Sequence, residues 1–122
     1  HYASVSGNLM GFMHRLSWSA GKYLKYKPAA MVVSARRAGT TSALDEIAKI
    51  PEFHHMPLIN GNYWPMVHGS TPEDVKKDEE GLQIVRNIAR NMAWILKCIE
   101  LGKKNGMEHP EPETPVRTNF IR

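Results

Sequence analysis

The chain has 122 residues, 42% of them hydrophobic, and a formal net charge of +4. That is enough for one domain and too apolar for wholesale disorder. It holds no run long enough to span a bilayer, no signal-peptide pattern and a single cysteine, Cys98, which excludes an internal disulfide. Together these features point to the cytoplasm. The positive charge is scattered, apart from small groups such as Lys22, Lys25 and Lys27, and no nucleic-acid-binding motif accompanies it. A solvated, mildly cationic surface is therefore expected, with no nucleic-acid partner and no membrane.

In chain order, Ser6 is placed to cap a first helix, with Leu9, Phe12, Met13 and Leu16 on its apolar face and an end near Gly21. A polar connection leads to Pro28, and residues 29–34 read as a buried strand. This strand runs into the small polar loop Ser34-Ala35-Arg36-Arg37-Ala38-Gly39 and then into a helix over 41–50, closed by Pro51. A strand that empties into such a loop before a helix is where open α/β sheets place ligands. A second strand is expected near Leu58, followed by a loop through Trp64 to Gly69. Thr71, Pro72, Glu73 and Asp74 start a helix, and a wide stripe from Leu82 through Ile88 and Ile95 to Ile99 carries it to about Lys104. That stripe is expected to be buried, with Cys98 in it as a small hydrophobe. Asn105-Gly106 ends the helix. Residues 107–122, with three prolines, read as an extended arm.

The alternation of helix and strand argues α/β with a parallel sheet. Two strands make a poor sheet for that class. Residues 1–106 are therefore expected to be the C-terminal portion of an α/β domain. His54, His55, His68 and Cys98 match no zinc-ligand spacing, so no metal site is expected. No nucleophile or acid–base constellation stands out either.

Three stretches together carry a resemblance: Tyr2-Ala3-Ser4-Val5-Ser6-Gly7-Asn8-Leu9-Met10-Gly11-Phe12-Met13-His14-Arg15, Val32-Val33-Ser34-Ala35-Arg36-Arg37-Ala38-Gly39-Thr40, and Asn62-Tyr63-Trp64-Pro65-Met66-Val67-His68-Gly69. They resemble the flavodoxin-like NADPH-dependent FMN reductases, akin to iron–sulfur flavoproteins and to Trp-repressor-binding-protein-like quinone reductases. The resemblance implies a doubly wound parallel sheet of order 2-1-3-4-5. This chain would hold its fourth and fifth strands, with the FMN phosphate loop upstream. It implies FMN as cofactor and NAD(P)H as co-substrate, with electrons passing to a quinone, another small acceptor or a redox partner protein. A flavodoxin-type electron carrier without turnover of its own is the alternative.

The same resemblance implies where the flavin lies. His1, Tyr2, Ala3, Ser4 and Val5 would run along one side of the ring. Ser34, Ala35, Arg36, Arg37, Ala38 and Gly39 would close the other, and His55 would stand near it. Arg36 or Arg37 would offset charge on the reduced flavin or meet the 2′-phosphate of NADPH. Trp64 and His68 would form a wall for substrate or nicotinamide. A homodimer or homotetramer is implied as well.

Overall fold

The computed structural model describes residues 2–121. Helix α1 spans Gly7–Ala20, and the Ser6 hydroxyl accepts from the Leu9 N–H at its start, as the cap predicts. A 3-10 turn, Gly21–Tyr23, follows. Strand β1 is Val33–Ala35, helix α2 is Thr40–Phe53 and strand β2 is Met66–His68. A short helix α3, Pro72–Val75, precedes the long helix α4, Glu79–Lys104. The strands pair in parallel, with Val33 opposite Met66 and Ala35 opposite His68. The architecture is mixed α/β with a small parallel sheet, and no helix among the described residues is long and apolar enough to cross a membrane.

Several boundaries differ from the expected ones, each for a physical reason. The strand expected over 29–34 pairs at its start only through an isolated parallel bridge from Ala29 to Leu58; its regular ladder is confined to Val33–Ala35. The partner that sequence placed near Leu58 is completed instead by Met66–His68, inside the stretch expected to be loop. Val33 lies four positions beyond Ala29, but Met66 lies eight positions beyond Leu58. The surplus leaves the sheet as an excursion through Asn60–Pro65. Asn91 Nδ2 donates to the Asn60 carbonyl at 2.7 Å and Asn87 Nδ2 to Asn62 Oδ1 at 2.8 Å, which ties the excursion to α4. Gly61 lies so close to α4 that a Cβ there would stand 3.0 Å from the Ile84 carbonyl oxygen.

Pro51 does not close α2. It sits buried in the last turn, and its carbonyl accepts from His54 and Met56 N–H. A proline so near the end removes one hydrogen bond while keeping a helical φ. The helix expected to run unbroken from Thr71 is two helices. Thr71 caps only α3, and Asp78 opens α4 by accepting from Gly81 N–H at 2.9 Å.

The core comprises Ala43, Leu44 and Ala48 of α2, Val67 of β2, Ile59, and Ile84 and Ile88 of α4. The long stripe of α4 is therefore buried only over its first turns. Beyond Ile88, Met92, Ile95 and Ile99 are half-buried, Trp94, Leu96 and Leu101 are exposed, and Cys98 is exposed rather than buried. Residues 107–121 form no helix or strand, although His109 stacks on Tyr26 with ring centres 4.4 Å apart.

Candidate functional site

Both strands end on the same edge, at Ala35 and His68, and Gly69 N–H donates to the Ala35 carbonyl at 3.1 Å. Arg36, Arg37 and Ala38 follow, all exposed. Gly39 then turns the chain into α2 with φ +91°, a conformation that favours glycine. Buried Thr40 starts the helix, and its hydroxyl donates to Met66 Sδ at 3.2 Å.

The loop before α1 comes to this same edge. Ala3 has φ +54° and packs so tightly on Gly39 that a Cβ at Gly39 would lie 2.8 Å from the Ala3 Cα. Two residues later, Val5 N–H donates to Glu46 Oε2 of α2 at 2.8 Å. The structure thus brings the Tyr2–Val5 loop against the end of the Ser34–Gly39 loop at the Ala3–Gly39 contact and ties it to α2 through Val5. Tyr2 beside them is fully exposed. His1 lies outside the described residues. Among the described residues neither Arg36 nor Arg37 makes an ion pair.

His68 stands next to this loop, in register with Ala35. Its backbone N–H donates to Asp78 Oδ2 at 2.7 Å, and its Nδ1 lies 3.8 Å from the same oxygen. One carboxylate therefore holds the end of β2, faces the His68 ring and caps α4. The Gly81 and His68 backbone N–H groups hold the Asp78 carboxyl below the usual carboxylate range, against an opposing contribution from burial; the nearby His68 ring adds to the lowering. A cavity of about 150 Å³ opens beside the pair, lined by Tyr63, Met66, His68, Asp78, Glu80 and Ile84 among others.

Asp78 was missed by sequence reasoning. The signal was Asp78 three residues before Gly81, a capping spacing hidden within an apparently continuous helical pattern.

Two expected site residues stand elsewhere. Trp64 precedes β2, at the end of the strand opposite His68, and packs edge-on against Tyr63 at 4.4 Å. The chain turns at Pro65, where Met66 N–H donates to the Trp64 carbonyl at 2.8 Å, and β2 then runs away from Trp64 to His68. His55 follows the far end of α2, roughly 20 Å from the Gly39 end for a helix of this length. There its carbonyl accepts from Tyr26 N–H at 3.2 Å. The structure does not bring His55 to the two loops. His54, next to it, is buried and bonded to the Ser17 hydroxyl. Among the described residues no three His, Cys, Asp or Glu side chains are grouped to hold a metal ion.

No curated protein and no solved structure matches the chain. The family model described as NADPH-dependent FMN reductase matches residues 1–71. That span contains α1, both touching loops, β1, α2 and β2, and it ends before Asp78. The family implies the use of FMN and NADPH in flavin-dependent oxidoreductase activity. With more than half its length matched, the chain belongs to the NADPH-dependent FMN reductase family.

Proposed function

We propose that this protein is a flavin-dependent NAD(P)H oxidoreductase that holds FMN between the Tyr2–Val5 loop and the Ser34–Gly39 loop. The contact of Ala3 with Gly39 carries the reading, because it unites two loops on the carboxyl edge of a parallel sheet. The residues present fit a flat, anionic group. Ser4 and Ala38 are small and exposed, so a ring can approach their backbone, and Arg36 and Arg37 add positive charge that is unpaired among the described residues. Exposed Tyr2 has a ring face free for stacking.

Bound FMN would accept a hydride from the nicotinamide and deliver electrons onward. The protein's part is to orient and to tune. Backbone N–H groups of the two loops meet the polar edge of the ring. Arg36 and Arg37 offset the negative charge of reduction or hold the 2′-phosphate of NADPH. His68 lies within reach of what docks at this edge.

In this reading β1 and β2 are the fourth and fifth strands of the 2-1-3-4-5 order. The edge of β1 away from β2, unpaired among the described residues, is where the third strand would lie, and exposed Val32, Phe12 and Trp18 suit cover from the rest of such a domain. Exposed Trp94, Leu96 and Leu101 on α4 suit a homodimer or homotetramer contact. The electron acceptor is a quinone, another small molecule or a partner protein.

The test is made on the full-length protein. It should purify yellow, and it should oxidise NADPH directly when a quinone is supplied. A colourless protein that takes up no added FMN would overturn the reading. A yellow protein that oxidises NADPH only through a separate reductase would instead be a flavodoxin-type carrier.

A further inference from the structure

We propose that His68 is a catalytic proton donor to a monocyclic quinone, and that Asp78 is its positioning residue. The proposal rests on the placement of FMN at the carboxyl edge given above. Three observations carry it. His68 ends β2 in register with Ala35, whose chain continues into the arginine loop, so the imidazole stands beside the edge where electrons would leave. Its side chain is 37% exposed, open enough to meet a small molecule. The adjoining cavity of about 150 Å³ is also the right size, since a space of that order holds one benzene-sized ring.

Asp78 explains why this histidine suits the task. Its carboxylate accepts the Gly81 and His68 backbone N–H groups, so it is anchored before it meets the ring. With Oδ2 3.8 Å from Nδ1, it faces that nitrogen and favours a proton there over Nε2. The remaining nitrogen, Nε2, is then the one that exchanges a proton with a ligand. Glu80 lines the same cavity and offers a second negative charge; the cations flanking this region in the chain are Arg36 and Arg37 after Ala35, and Lys76 and Lys77 before Asp78, with Lys77 paired to Asp74.

The chemistry balances with one proton. A quinone that takes a hydride equivalent, two electrons and one proton drawn from NADPH through the bound cofactor, becomes a hydroquinone monoanion. The Nε2–H bond of the imidazolium breaks, an O–H bond forms on the quinone oxygen, and neutral hydroquinone leaves. Water then returns a proton to His68. An acceptor such as ferricyanide takes electrons without any proton and does not call on His68.

The experiment compares full-length wild-type protein with His68→Gln and Asp78→Asn, each checked for bound FMN by its absorbance. NADPH-driven turnover is measured with benzoquinone and with ferricyanide, and the ratio of the two is read. His68→Gln should lower that ratio about 100-fold, the usual contribution of a positioned acid. Asp78→Asn should lower it about tenfold, because the donor stays and only its placement is lost. A second readout needs no turnover: ¹⁵N spectra of cofactor-free protein should show neutral His68 mainly as the Nδ1–H tautomer, and Asp78→Asn should erase that preference. FMN retained with an unchanged ratio in His68→Gln overturns the proposal. Absence of FMN from the wild type overturns the underlying reading of the site and the His68 step with it.

Discussion

Around Ala3, Gly39 and His68 the backbone is held at several points, whereas from Met92 onward α4 packs little of its surface on its own chain. At the first region the Ala3–Gly39 contact, the Val5–Glu46 hydrogen bond and the Asp78 carboxylate lock two loops and a strand end together. At the second, Trp94, Leu96 and Leu101 remain 64%, 49% and 64% exposed. Both regions are rich in apolar or small residues. What separates them is where backbone polar groups are satisfied: through partners distant in sequence in the first, and within the helix and its C-terminal cap in the second. A site that must meet a cofactor gains from the first arrangement, and a surface that meets another protein gains from the second.

Substitutions can sharpen that contrast. The largest effect should come from Ile84→Ala, under the excursion and at the root of α4. Ile84 is 2% exposed, so truncation should cost about 2–5 kcal/mol in urea-unfolding measurements. Gly39→Ala should come next, at about 1–3 kcal/mol, because it combines positive φ with a Cβ too near the Ala3 backbone. The same variant should weaken FMN binding, read by flavin fluorescence. Equal FMN affinity in Gly39→Ala would detach the cofactor from this edge.

Asp78→Asn should cost about 0.3–1 kcal/mol through the negative charge lost at the N-terminus of α4, and its effect should depend on pH. The folded-state pKa of Asp78 is lowered, so its stabilisation is present above the unfolded-state value and is lost as pH falls through the folded one. Urea midpoints followed from neutral to acidic pH should therefore converge for wild type and variant at the acid end. The smallest effect on folding should be that of Leu101→Ser. A change within about 0.5 kcal/mol is expected for an exposed position, while sedimentation at rising protein concentration should show weaker self-association. Unaltered association would remove this helix face from any subunit contact.

Much of this was legible in the residues. Ser6 announced α1, the run from Ala29 through Gly39 announced a strand, loop and helix although the regular strand is only Val33–Ala35, and Asn105-Gly106 marked the end of α4. What was not legible depended on contacts distant in sequence. The pairing of β1 with Met66–His68 follows from an excursion that Asn87 and Asn91 hold against α4, and no local pattern around Trp64 encodes that. The second start at Asp78 depends on the end of β2 offering the His68 N–H. Burial of the α4 stripe was overestimated because periodicity shows which face is apolar, not how far along the helix the rest of the chain reaches. His55 was expected near the flavin from a resemblance in sequence position, and the length of α2 carries it to the other end.

The most direct test is hydrogen exchange of the full-length protein with and without FMN. Binding should slow exchange at the Tyr2–Val5 loop and at Arg36–Gly39, while the turn at His55 stays unchanged. FMN bound with no added protection at those two loops would contradict the account.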